Sequence, residues 1–407
     1  MNVNSTDAVL VLSIRGGGMV RPMAEIIRSL PARSVLVSNN PDDRNRDACD
    51  EHVVVDWLTD ELPVLVERLA ARGIRPVAVV NNLEPLITWQ AAILRHYELP
   101  LGDSGLGVFA DKAAVRRRVR ELGLSGLRFW SSTAEDLATL GVDHFPVIVK
   151  PSRDSGASRF VRRADDADEL RRCAAEIAAS LGRDAHVVVE EYIDGVEHSL
   201  DGPVLDGRFR PLLHVEKLDH DERRHHDAGL CVSPPLSVAV RQGTAKISPV
   251  VDALCRDLRL DNLWLHVEAR TRADGTCELV EINTRPGGRL YRAAVQRTTG
   301  IDPFEANLRL ALPGIDDSAV RAAARNDELV AMVVFDAQSV GRVHVATSRE
   351  DVLGVPGVVD ALVLDGLEIT TLEQENTVAE ALITADDLPA LRSVEEAVRA
   401  QVKYEIS

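Results

Sequence analysis

Two glutamates and an asparagine stand inside apolar runs in HVEARTRADGTCELVEINTRPGG, residues 266–288. Asp274-Gly275 is a strong hairpin signal, because a type I′ turn requires positive φ at both central residues. With a two-residue loop, Glu268 falls opposite Glu281 and His266 opposite Asn283. Side chains alternate along a strand, so His266, Glu268, Arg270, Glu281 and Asn283 share one face. Leu265, Val267, Ala269, Val280 and Ile282 share the other, which reads as a core face. Carboxylates directly opposite on a ladder repel unless a cation lies between them. On a wet surface Arg270 and Arg285 would neutralise the pair, or a bulge would break the register. At a site, the oxygen donors Glu268, Glu281 and Asn283 suit a hard divalent cation such as Mg²⁺, which combines one or two carboxylates with phosphate and water. Such an ion usually travels with a nucleotide.

Neither GxxxxGK[ST] nor GxGxxG after a strand occurs, so any phosphate site is of another kind. Gly16-Gly17-Gly18 follows the first apolar run and reads as a tight strand-to-helix turn that a substrate could approach. VIVKPSRDSGASRFV, residues 147–161, is more informative. Lys150 closes an apolar strand, where a lysine is rarely buried unpaired. The Ser/Gly turn after it offers backbone amides that can cradle phosphate, or it is an ordinary hairpin tip with a snorkelling lysine.

The elements that must position these groups follow from periodicity. Short β-branched runs alternate with helical patterns over the first hundred residues (AVLVLSI, MAEIIRSL, RSVLVSNN, VVVDW, LPVLVERLAARG, PVAVVNN), which implies parallel βαβ units. DKAAVRRRVRELG opens a new unit: Asp111 stands as a helix N-cap, and the four arginines read as the solvated side of that helix. From Phe145 onward strands with polar turns dominate: FPVIVKP, SRFVRRA, VVVEEYI, VEHSLDGPVLDGRF and LLHVEK. The helix AKISPVVDALCRDLRL precedes the hairpin, and a last region after residue 315 has strands such as LVAMVVFD and ends in LRSVEEAVRAQV. HDERRHHD, residues 220–227, reads either as a lid over a substrate site or as a solvated loop.

The chain has 407 residues and a formal net charge of -17, which argues against nucleic acid or an anionic membrane as partner. Five cysteines are scattered singly with no CxxC, which fits a reducing cytoplasm rather than a disulfide framework or a zinc site. The apolar run at residues 8–14 is too short to span a bilayer and reads as a buried strand.

The ordered set of Asp111-Lys112, VIVKPSRDSGAS, VVVEEYIDGVEHSLDG, HVEAR and VEINTRPGG resembles the motif series of the ATP-grasp ligases. VVNNLEPLITWQAAILRHYELPLG is similar to the end of that family's amino-terminal domain, and HHDAGLCVSPPL resembles a segment of the L-amino-acid ligases and related carboxylate-amine ligases. GRVH and VPGVVDALVL resemble the small carboxy-terminal domain of that subgroup. The resemblance implies an α/β (α+β) ATP-grasp architecture: an open parallel α/β domain over 1–102, a two-lobed grasp region over 103–315 with a mobile lobe at about 145–195, and a small α+β domain over 316–407.

It also implies roles. Lys112 and Lys150 would contact ATP phosphates beneath the loop 152–158, with Ser155, Gly156 and Ser158 in it. Glu190, Glu191 and Ile193 would line adenine largely through backbone groups, with Tyr192 beside them as a platform or as core packing, and Glu197 would hold the ribose. Glu268, Glu281 and Asn283 would carry two Mg²⁺ ions, replaceable by Mn²⁺. Arg285 would face an acyl phosphate, Gly287 and Gly288 the substrate carboxylate, and Glu84 the substrate cleft as a partner for an amine. Arg15 and Arg289 also suit a carboxylate. One departure stands out: the family's phosphate loop usually has Gly where this chain has Phe160, which implies a stiffer loop or a register one residue off. The expected activity is ATP-dependent ligation of a small carboxylate to a small amine, both amino acids, in a homodimer without membrane or nucleic-acid partners. A purine-pathway carboxylase or formate-using ligase, or a non-catalytic ATP-binding regulator, are the alternatives.

Overall fold

The structure is a computed structural model that describes residues 6–14, 16–153, 156–222, 225–227 and 229–407. Arg15 and Ser155 lie outside the described residues, as do Arg223 and Arg224 of HDERRHHD.

The amino-terminal strands Glu51–Val54, Arg33–Ser38, Asp7–Ser13 and Arg75–Val80 lie side by side in that order, all parallel, as the alternation of runs requires. Both faces of this sheet are buried, as parallel sheets demand. Leu10 and Leu12 pack with Leu65 and Leu69 of the helix Leu62–Ala70 and with Ile93 of Ile87–His96. Val9 and Val11 face the other way, toward Met23 and Ile27 of Val20–Arg28. Phe304 and Leu308 of the helix Pro303–Ala311 complete that second face, so a segment far along the chain returns to finish the first domain. Gly18 makes the first turn possible: its φ is +93, and a Cβ there would stand 2.6 Å from the Leu12 carbonyl oxygen.

The central region has two lobes. In the first, Phe129–Thr133, His186–Glu191, Val147–Pro151 and Arg162–Ala164 form an antiparallel sheet covered by the helix Ala167–Leu181. Asp166 caps that helix, its carboxylate accepting from the Asp168 and Glu169 amides. Of SRFVRRA only Arg162–Ala164 is strand, because Ser158 and Phe160 take positive φ and break the extended backbone.

The second lobe is a nine-stranded sheet. Cys277–Asn283, Leu263–Thr271, Val196–Leu205, Leu213–Lys217 and Leu230–Ser233 run in that order and continue without a break into Val330–Asp336, Thr377–Thr384 and Val358–Val363. The last region therefore extends the grasp sheet, and it adds a small sheet of Glu368–Ile369, Gly341–Val345 and Tyr404–Ile406. On one side Ile247, Val251 and Leu254 of the helix Val238–Asp257 pack on Leu200, Leu265 and Val267. On the other, Ala294 and Val295 of Tyr291–Thr299 pack on Val215 and Trp264.

Two expectations need correction. The helix Lys112–Glu121 is capped by Asp111 as its sequence requires, but its arginines are not simply a solvated face. Arg116 is buried, because its guanidinium donates to Glu190, and Arg118 pairs with Asp257. The hairpin loop is also longer than two residues. Arg272 N donates to Thr276 O at 2.8 Å, so Ala273, Asp274 and Gly275 form a three-residue loop with Gly275 at φ +78. That offset alone would rotate the ladder by one residue. A bulge between Glu268 and Ala269 on one side and Glu281 and Leu279 on the other cancels it, restoring His266 opposite Asn283 and Glu268 opposite Glu281. Leu279 consequently takes the core position expected for Val280, and Val280 is released to line a pocket.

Candidate active site

The hairpin face carries the chemistry. His266, Glu268, Glu281, Asn283, Arg285 and Gly288 line one cavity of about 250 Å³. The cations that meet the opposed carboxylates are not the arginines of the wet-surface alternative. Lys112 Nζ lies 3.1 Å from Glu281 and 2.5 Å from Glu84, while His266 Nε2 is 3.3 Å and Lys217 Nζ 3.9 Å from Glu268. Arg270 turns instead to Glu197, directly opposite it on the neighbouring strand Val196–Leu205, at 3.3 Å and to Glu222 at 2.6 Å. Arg285 Nη1 donates to the Pro286 carbonyl, and its buried Nε has no hydrogen-bond partner among the described residues. An unsatisfied guanidinium nitrogen at a cavity wall is a ready donor for an anion.

Asp201 organises this face from the neighbouring strand Val196–Leu205, where the register sets it opposite His266. It is buried, accepts from His266 Nδ1 at 2.6 Å and Trp264 Nε1 at 3.2 Å, and takes the Gly287 amide at 2.7 Å. Burial alone would lower the His266 pKa, but the Asp201 and Glu268 carboxylates raise it to about 9. The Gly287 amide is therefore already committed, which corrects its expected role; Gly288 is the glycine at the cavity wall. Tyr291 is why position 287 is small: a Cβ there would stand 2.8 Å from its ring.

A second pocket adjoins the first. Ile148, Val161, Ile193 and Val280 supply apolar walls beside Tyr192, and Lys112 and Lys150 reach in from the edge. Lys150 Nζ lies 2.9 Å from Glu190, whose carboxylate also accepts from Arg116 at 2.5 and 3.1 Å. Burial alone would raise the Glu190 carboxyl, but Arg116 and Lys150 hold it at about 2. The Glu190 side chain fixes the pocket's lysine. Glu191 pairs with Arg272 at 3.1 Å, and Glu197 with Lys217 at 2.6 Å. Tyr192 donates to Glu222 at 2.9 Å, and the Arg163 guanidinium stacks 4.3 Å from its ring centroid. Gly156 and Ser158 roof the first cavity, and Ser158 also borders the second.

Glu84 is buried and meets the Lys112 ammonium at the tip of that side chain, and its Oε2 would stand 3.5 Å from a Cβ placed at Gly156 of the cavity wall. HDERRHHD is not a solvated loop: His220–Asp221 pairs with His226–Asp227, and His225 and His226 are buried. Its His225 borders the apolar pocket, its Asp227 borders the polar cavity and lies 3.0 Å from Lys217, and His226 Nδ1 meets Asp336 at 3.0 Å.

Lys217, Asp201, Asp227 and Glu375 escaped the sequence reading. For Lys217 a signal existed: like Lys150 it closes an apolar strand, LHVEK. For the other three nothing local distinguishes the residue from an ordinary strand or loop acid. The donor set fits the expected metal. Two carboxylates and an amide oxygen form a hard, all-oxygen group suited to Mg²⁺, and each carboxylate is currently met by a cation, as a site built to hold positive charge would be.

Comparison with known proteins agrees with this geometry. Residues 143–293 match the ATP-grasp domain family. A D-alanine–D-alanine ligase of Mannheimia succiniciproducens is 30% identical over 149 residues, 35% of this chain and 45% of that protein, so the chain spans about half the length of such curated relatives. The crystal structure of an L-amino acid ligase from Bacillus licheniformis superposes over 100% of both chains with a TM-score of 0.79 at 18% identity. An ADP complex of N5-carboxyaminoimidazole ribonucleotide synthetase superposes over 98% of this chain and 97% of its own with a TM-score of 0.71 at 14% identity. Residues 143–293 thus match the ATP-grasp domain family, and the chain shares the fold of these solved structures from end to end.

Proposed function

We propose that the protein is an ATP-dependent carboxylate-amine ligase that joins two small substrates, amino acids in the first instance, through an acyl phosphate, releasing ADP and phosphate. The observation that carries this reading is the single cavity uniting Glu268, Glu281 and Asn283 with the Nε of Arg285, which has no partner among the described residues, beside an apolar pocket edged by two lysines. In this reading adenine lies between Ile148, Ile193 and Tyr192 near the backbone of Glu190 and Glu191, with Glu197 toward the ribose. Lys112, Lys150, Gly156 and Ser158 attend the phosphates. The lobe at about 145–195 closes between flanking domains that meet the grasp region near 102 and 315.

Glu268, Glu281 and Asn283 would hold Mg²⁺, which when bound offsets the charge of the transferring phosphoryl group. Lys150 and Lys112 orient the phosphates by point charge. Arg285 and the Gly288 backbone hold the substrate carboxylate in line with them and then steady the oxyanion formed when the amine attacks. Protonated His266, locked by Asp201, adds a fixed positive charge beside Glu268. Most side chains that line the cavity are polar or charged, which favours small polar amino acids over large apolar ones.

An ADP-release assay over pairs of carboxylates and amines, with mass spectrometry of the product, tests the proposal. Amine-dependent ADP with a new amide is the expected result; ADP release driven by bicarbonate or formate instead, or nucleotide binding without turnover, would overturn it.

A further inference from the structure

We propose that Glu375 is a positioning residue that ties the conformation of residues 157–160 to occupancy of the polar cavity, an inference that rests on the ligase reading above. Its backbone and its side chain face two different parts of the site. The Glu375 amide donates to the Ala157 carbonyl at 2.9 Å, and two residues earlier the Glu373 carbonyl accepts from the Phe160 amide at 2.9 Å. Arg162 pairs with the Glu373 carboxylate. The Glu375 carboxylate turns the other way, into the cavity wall. There it accepts from Arg289 and from the Asp227 amide at 2.7 Å.

One side of this junction is preformed. Asn376 Nδ2 donates to Thr371 O at 2.8 Å and Gln374 O at 2.9 Å, and its backbone amide donates to Asp336 at 2.6 Å, so the segment 371–376 is fixed to the large sheet. The other side is under strain. Ala157, Ser158 and Phe160 all have φ between 56 and 57, a region that non-glycine residues occupy only when surrounding contacts hold them there. The two backbone bonds bracket this stretch, while the Phe160 ring is sunk in the core of the mobile lobe. Phe160, standing where the family's loop usually has Gly, therefore transmits the junction to the whole lobe. A substrate that packs against Arg289 and Glu375 stiffens 373–375, and that in turn favours the closed loop over the reacting groups. Closure of this kind keeps water from the acyl phosphate.

The test uses the full chain with its E373A and E375Q variants. Hydrogen exchange on peptides covering 156–162 and 371–376, without ligand and with Mg-ADP, is read beside ADP affinity and the ratio of amide product to ADP. Loss of one charged hydrogen bond predicts exchange at 156–162 about tenfold faster in both variants. ADP affinity stays that of the wild type, and the product ratio falls as water cleaves the acyl phosphate to free acid and phosphate. Unchanged exchange at 156–162 in both variants overturns the proposal, and so does a parallel loss of ADP affinity and product ratio, which a purely structural role would give. A wild-type chain that makes no amide overturns the ligase reading instead, and the exchange data still decide the role of Glu375.

Discussion

Replacing Glu190 by glutamine tests the electrostatics of the apolar pocket's edge most directly. The carboxylate sits between Arg116 and Lys150, and all three side chains are less than a tenth exposed. Glutamine preserves size but leaves two buried cations without a counter-charge, which typically costs about 3–5 kcal/mol. The depressed pKa of the Glu190 carboxyl leads to a figure of the same order. A carboxyl held at about 2 rather than 4.5 stabilises the fold by about 3 kcal/mol, at about 1.4 kcal/mol per pH unit. Because the folded pKa is depressed, this stabilisation is fully present above the unfolded value near 4.5 and is lost as pH falls toward 2. Urea melts of wild type and E190Q at pH 7 should differ by about 3 kcal/mol, and at pH 4 the gap should narrow by about 1 kcal/mol. Indistinguishable melts at pH 7, or a gap that widens in acid, would refute the assignment of Glu190 as the shared counter-ion.

Further outcomes follow from the cavity and the turns. Glu281→Gln and Arg285→Ala should each lower ADP release by about a hundredfold or more while circular dichroism stays that of the wild type; a fully active E281Q enzyme would sink the metal assignment. Chelation with EDTA should abolish turnover, and added Mg²⁺ or Mn²⁺ should restore it, as the same ADP assay would report. Asp201→Asn removes the charge that holds His266 and the Gly287 amide, so thermal unfolding should show a loss of about 1–3 kcal/mol alongside slower turnover. Gly18→Ala forces a Cβ toward the Leu12 carbonyl at positive φ, and a loss of at least about 1 kcal/mol in the same melts is expected.

Much of the site was legible because hairpin chemistry and side-chain alternation are local. Glu268, Glu281 and Asn283 lie on one face as their spacing requires, and Lys150 ends its strand beside a pocket as a lysine after Val147-Ile148-Val149 should. The register at the carboxylates nevertheless agrees for a reason the sequence does not display. A three-residue loop and a compensating bulge offset each other, and only Val280 and Leu279, exchanged between pocket and core, record the difference. Arg116 looked like one arginine among four on a helix, and nothing within that helix distinguishes the one that meets Glu190.

Strand and helix periods, the capping Asp111, the glycine turn at Gly18 and the apolar-then-lysine pattern are set by interactions within a few residues, so the amino-acid order alone determined them. Which cation neutralises which carboxylate was decided elsewhere. Lys112 reaches Glu281 from a helix, Lys217 reaches Glu268 across the sheet, and Glu375 arrives from the last region to meet both Arg289 and the phosphate loop. Coulomb attraction and burial act on separation in space, not along the chain, so those partners exist only once the nine-stranded sheet has brought distant segments together.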